Sequence, residues 1–186
     1  GFPIVETNLW AQNGVVHGLD AFLIPPNTCD MANPCGENEA CSNSGYCQAL
    51  PPPGTCANPI DVGIGYVGAD TSGNGDITAV NYDEGSCGGR PGNEVVFRYT
   101  ELVSDRDLCL RTSGSDFNTI LYVREDECYN RANELVCNDN SALASPLASA
   151  ATISSQFGQT YFVIVDGFSE QDNGNLILEV SAGACQ

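Results

Sequence analysis

An apolar–polar alternation with a period of two runs through the second half of the chain. In Phe117-Asn-Thr-Ile-Leu-Tyr-Val123, the set Phe117, Thr119, Leu121 and Val123 falls on one face, and Asn118, Ile120, Tyr122 and Arg124 on the other. β-Branched and aromatic residues at this spacing predict a strand. Apolar residues on both faces predict an interior strand, covered on two sides. The same reading predicts strands at 60–67, 76–82, 94–100, 107–112, 117–124, 134–137, 152–157, 160–166 and 175–181, with Gly, Asn and Asp turns between them. Val95, Phe97 and Tyr99, Leu108 and Leu110, and Leu176, Leu178 and Val180 are expected to point inward. No helical stripe of useful length interrupts these elements. The predicted fold class is all-β, a jelly-roll-like β-sandwich over residues 55–186.

The first 26 residues follow another pattern. Two apolar strands are predicted at 4–10 and 15–24, turning at Asn13-Gly14. Ile4, Val5, Leu9, Trp10, Val15, Val16, Leu19, Phe22, Leu23 and Ile24 would expose apolar surface and sheet edges, which pair with whatever strand is at hand. Residues 1–26 are therefore expected as an N-terminal strand extension able to donate itself to a neighbouring copy. Head-to-tail donation does not close on itself and would build a filament. Residues 27–54 form a third region, with Cys29, Cys35, Cys41 and Cys47 at a six-residue step. So short and polar a segment cannot build a core and needs disulfides. Four cysteines allow three pairings, and spacing alone does not choose among them. Pro51-Pro52-Pro53-Gly54 reads as a stiff spacer.

Composition narrows the function. Of 186 residues, 24 are acidic and six are basic, all of them Arg, for a formal net charge of −18. Such a surface repels phosphate backbones and anionic membranes, so nucleic-acid binding is not expected. No apolar run reaches the ~20 residues a bilayer span needs, so no membrane insertion is expected. Ten cysteines with a single His and no CxxC pair exclude a multi-His zinc site and argue against a zinc ribbon. They predict up to five disulfides, each contributing about 2–4 kcal/mol, and an oxidising, extracellular or cell-surface location. The chain opens on Gly1 rather than Met, the mark of a processed form or fragment.

Three stretches resemble known families. Ser-Asp-Phe-Asn-Thr-Ile-Leu-Tyr-Val, Leu-Val-Cys-Asn-Asp, Tyr161-Phe-Val-Ile-Val-Asp-Gly-Phe168 and Gly174-Asn-Leu-Ile-Leu-Glu-Val180 resemble the bacterial pre-peptidase C-terminal domain in its Cys-rich form, over about Cys56 to Cys185. That resemblance implies a non-catalytic sandwich appended to secreted enzymes and surface proteins, some of whose members bind calcium, collagen or glycans. Its layout implies the pairs Cys56–Cys87 and Cys109–Cys185, while proximity predicts Cys128–Cys137. Asn-Pro-Cys-Gly-Glu-Asn-Glu-Ala-Cys resembles the front half of an EGF-like module, which implies Cys29–Cys41 and Cys35–Cys47. Ala49 stands where the fifth Cys of that family would fall. Asn13-Gly-Val-Val-His-Gly-Leu-Asp-Ala-Phe-Leu-Ile-Pro-Pro26 resembles the closing strands of a fasciclin domain.

Candidate chemistry is sparse. Asp70, Asn74 and Asp76 in Asp70-Thr-Ser-Gly-Asn-Gly-Asp76 match the first half of an EF-hand loop and are candidate calcium ligands. Asn81 replaces the bidentate Glu, so a polar turn is the competing reading. The acidic loop from Asp166 to Asp172 reads as a solvated hairpin tip. His17 lies among apolar neighbours with no nucleophile and orienting group to serve. Glu125 to Glu127 and Asp105 to Asp107 read as solvated strand ends, with no cleft signature for glycoside hydrolysis. No enzymatic activity is expected. The leading reading is a self-assembling structural subunit, a homopolymer. A glycan- or matrix-binding module, calcium-dependent or not, is the alternative, and an accessory domain of a larger secreted enzyme comes third.

Overall fold

The structure, a computed structural model, describes residues 4–11 and 14–19 as strand backbone, and residues 29, 34–36, 39–71, 84–89 and 92–186 in full. The chain forms two compact units, Gly1–Leu50 and Pro51–Gln186.

In the first unit, β1 (Ile4–Ala11) pairs antiparallel with β2 (Gly14–Leu19), Trp10 opposite Val15. Seven of the ten expected donor residues, from Ile4 to Leu19, lie on these strands; Phe22, Leu23 and Ile24 lie outside the described residues. Further on, β3 (Glu39–Cys41) and β4 (Cys47–Ala49) form a ribbon with Cys41 opposite Cys47. Two interleaved disulfides, Cys29–Cys41 and Cys35–Cys47, staple it, the pairs that the EGF-like resemblance implies. Gly45, at φ 78°, allows the turn between these strands without Cβ strain.

The second unit is a sandwich of two sheets. One contains β5 (Ile60–Asp61), β7 (Val95–Thr100), β9 (Thr119–Glu125), β10 (Glu134–Asp139) and β12 (Thr160–Gly167), in the order β10-β9-β12-β7-β5. The other contains β6 (Gly65–Asp70), β8 (Arg106–Arg111), β11 (Ala150–Ser155) and β13 (Asn175–Ala182), in the order β11-β8-β13-β6. Among the described strands, only β5, parallel to β7, breaks the antiparallel pattern. From β6 to β13 the chain switches sheets at every step except the β9–β10 hairpin, which is the wrapping of a jelly roll. Between the sheets lie Val95, Phe97, Tyr99, Leu108, Leu110, Leu121, Val123, Val163, Leu176, Leu178 and Val180, all buried, as their alternation predicts.

Several elements differ from expectation. The single strand expected at 60–67 is broken: β5 ends at Asp61 and β6 begins at Gly65, as the chain crosses between sheets. The strand expected at 76–82 lies outside the described residues. Pro51 to Gly54 is not a free spacer. The Pro51 and Pro52 carbonyls accept hydrogen bonds from Asn58 and Thr55, and the Gly54 carbonyl accepts one from Val96 of β7. Asp166 is not at a solvated tip but fully buried at the end of β12.

Two expected disulfides are also corrected. The bonds are Cys56–Cys128, Cys87–Cys137 and Cys109–Cys185, so Cys56–Cys87 and Cys128–Cys137 do not form. Cys137 pairs in register with Tyr122, three residues inside the end of β9 at Glu125, whereas Cys128 lies beyond that end. Three strand residues span about 10 Å. A disulfide needs its Cα atoms within roughly 7 Å, so sequence proximity misleads here.

Candidate binding surface

The outer faces of the two sheets are built differently. On the five-stranded sheet, Val96, Ile120, Tyr122 and Ile164 point away from the central core and still bury, with Cys128 beside them. The cover is made of loops. Cys56–Cys128 and Cys87–Cys137 bind residues 51–58 and 84–89 to this face. Gly85 lies against the Tyr122 ring and the Cys137 sulfur, and Gly88 against Ile120; a Cβ at either would collide. Arg124 is fully buried above the Tyr122 ring, 5.1 Å from its centre. Its guanidinium donates to the carbonyls of Cys128 (2.7 Å) and Glu84 (3.2 Å), so a charge locks the cover in place. Arg131 adds bonds to Glu84 and Gly85 from the rim.

Among the described residues, no comparable layer seals the four-stranded sheet. The Cys109–Cys185 disulfide ties down the C-terminal residues over β8 and β11, where Cys185 N donates to Thr152 and Arg111 donates to the Gln186 carbonyl at 2.6 Å. Over β6 and β13 the described cover is the loop after β8, where Gly114 lies against Ile177 and Ser115 bonds to its backbone, and Tyr66 stands outside it. Register places Tyr66, Glu179 and Arg111 in one row across β6, β13 and β8. Tyr66 is 74% exposed. The Glu179 carboxylate beside its hydroxyl raises the phenol pKa, and Arg111 opposes the shift. Gly68 and Ile177 form the next row, and a Cβ at Gly68 would meet only ordinary contact. Asp70 and Asn175 form the third, with Asn175 bonded through N and Nδ2 to Asp116. The result is an exposed aromatic ring with a carboxylate and a guanidinium alongside.

Of the expected calcium ligands, Asp70 ends β6, and Asn74 and Asp76 lie outside the described residues. Among the described residues, the close group of metal-type ligands is Cys29, Cys35 and Cys41. Those sulfurs are tied up in disulfides and offer no thiolate. His17 lies within β2. Asp105 and Asp107 do not pair with each other; they accept bonds from Phe157 N and Ser154 respectively.

Sequence reading missed one buried polar network altogether. The Glu101 carboxylate is inaccessible to solvent and accepts from Arg106 (2.7 Å), Tyr99, Ser155 and the amide of Val103. Burial pushes its pKa up, but Arg106 and the other donors outweigh that and hold it at about 2. This network joins β7 of one sheet to β8 and β11 of the other. Only the oddity of a Glu directly following an inward-facing strand pattern, with Arg five residues on, signals it.

No family model matches the chain, and no curated protein matches it. Among solved structures, it is similar to the pre-peptidase C-terminal domain of a collagenase from Bacillus anthracis, solved at 1.0 Å, with a TM-score of 0.42 and 10% sequence identity over 66% of this chain and 93% of that one. The EGF-like and fasciclin resemblances have no counterpart in these comparisons. Five disulfides fit a protein of an oxidising, extracellular compartment. No helix among the described residues is long and apolar enough to cross a membrane.

Proposed function

We propose that this chain is a non-catalytic binding module of a secreted protein and that its ligand is a glycan, held on the open face of the four-stranded sheet. The observation that supports this reading is Tyr66, which presents its ring to solvent on a rigid strand beside Glu179 and Arg111. A planar aromatic face takes the apolar side of a sugar ring. A neighbouring carboxylate and a planar guanidinium hydrogen-bond its hydroxyls. A rigid sheet keeps the cost of ordering low. No observation supports the strand-donation filament; the pairing of β1 with β2 is the hairpin that its own pattern predicts.

The test is a glycan array probed with the intact chain, beside immobilised collagens and other matrix proteins. Binding to a subset of glycans is expected, weakened about tenfold or more by Tyr66→Ala and by Glu179→Gln. A blank array, glycan binding that both variants retain, or binding confined to the matrix proteins would each overturn the reading.

A further inference from the structure

One end of the sandwich carries a second surface, independent of the sheet face. The loop from β7 to β8 and the turn from β11 to β12 lie side by side there, joined by bonds from Glu101 N to the Gln159 carbonyl and from Gly158 N to the Glu101 carbonyl. From these two segments Leu102, Val103 and Phe157 project into solvent, 72%, 70% and 65% exposed. Exposed apolar side chains usually sit on loose segments that can fold them away. These cannot. Glu101 Oε1 accepts from the amides of Val103 and Ser104, Asp105 accepts from Phe157 N, and the Tyr161 hydroxyl accepts from Gln156 N. Hydrogen bonds on both segments, from buried Glu101 and Tyr161 and from exposed Asp105, thus fix the backbone that presents the three apolar residues.

The rim decides the partner. Asp105, Asp126 and Glu127 are exposed at this end, where β7, β9 and β11 all terminate, and Gln159 bonds to Asp126. The cation nearest in the chain, Arg106, is committed to Glu101. A second copy of this chain, at a formal charge of −18, would meet the rim with like charge. An anionic bilayer is repelled for the same reason. We infer that this end of the sandwich docks a cationic protein segment, one that places an apolar side chain on Leu102, Val103 and Phe157 and Lys or Arg against the surrounding carboxylates. A preformed apolar centre with a charged rim is the layout of a protein contact whose ordering cost is already met.

A fluorescent peptide alternating Lys with Leu and Phe serves as probe, with polylysine and the Glu-for-Lys peptide as controls, titrated against the intact chain by anisotropy. The Lys-Leu-Phe peptide should bind at least about tenfold more tightly than either control. Replacing Leu102, Val103 and Phe157 together by Ser should lose that advantage. Asp105→Asn with Asp126→Asn should weaken binding severalfold and flatten its salt dependence. All three apolar side chains face solvent, so the triple variant should keep its unfolding midpoint. Equal binding of polylysine, or unchanged binding by the triple variant, would overturn the inference. So would sedimentation showing that the chain self-associates through this patch. Tyr66→Ala should leave the peptide titration unchanged, which separates this surface from the sheet face.

Discussion

The two outer faces of the sandwich answer the same physical problem in opposite ways. The five-stranded sheet has apolar residues on both sides of β9, so its outer side must be covered. It recruits two loops, pins each with a disulfide and locks them with a buried arginine. The four-stranded sheet alternates most clearly in β13 and puts mainly polar and small residues outside, with Tyr66 and Ile177 as exceptions. Among the described residues its cover is limited to the C-terminal tie and the β8–β9 loop at Ile177. A domain of this size cannot afford a third full layer, so disulfides stand in for one. Of the two sheet faces, the sealed one serves stability, and the other is the face on which the glycan proposal rests.

That contrast breaks or sharpens under mutation. The largest effect should come from the disulfides. Cys56–Cys128 and Cys109–Cys185 close segments of 72 and 76 residues, so loop entropy alone predicts equal losses of about 4 kcal/mol. If the cover matters, replacing Cys56 and Cys128 by Ser should cost about 1–2 kcal/mol more than replacing Cys109 and Cys185, because it also frees the 51–58 segment that lies against Val96 of β7. Guanidinium unfolding of both pairs decides this, and equal midpoints would dissolve the distinction between the faces.

Next comes Glu101→Gln, which loosens the tie between the sheets without touching either outer face. A loss of about 3 kcal/mol is expected, since it leaves Arg106 without its charge partner. The sign of the pH effect follows from a folded pKa of about 2, below the ordinary value of 4.5. The stabilisation is complete above pH 4.5 and is lost as pH falls from there towards 2. Acid titration of the variant, followed by circular dichroism, should show a shallower loss across that window than the parent chain.

Smaller still are two glycine substitutions that probe the faces directly. Gly85→Ala drives a methyl into Tyr122 and the Cys137 sulfur and should cost about 1–3 kcal/mol. Gly68→Ala on the open face should change stability by less than ~0.5 kcal/mol in either direction. The smallest stability effect belongs to Tyr66→Ala, also under ~0.5 kcal/mol, despite its expected loss of ligand. Thermal midpoints rank all three, and a costly Gly68→Ala would mean that the open face is packed after all.

Much of the fold was legible along the chain. Alternation placed Leu176, Leu178 and Val180 inside, because a strand with one wet face has no other stable register, and it also marked Val95, Phe97, Leu108 and Leu110 as inward. The doubly apolar run 117–124 announced a covered sheet, and ten cysteines without a zinc pattern announced the staples. The candidate site was not legible, and one residue shows why. An unbroken strand over 60–67 would put Tyr66 on the same face as Ile60 and Val62, which pack into the core. The break between Asp61 and Gly65 shifts the parity, so Val67 and Ala69 turn inward and Tyr66 turns out.

The sequence alone determined class and core and pointed to an oxidising compartment, because period, composition and cysteine content act locally or in bulk. Tertiary structure decided which cysteines meet, which sheet is sealed, that Asp166 is buried while Tyr66 is not, and that Glu101 binds three strands together. Each of these depends on distances between segments far apart in the chain, and such distances exist only once the strands have alternated between two sheets.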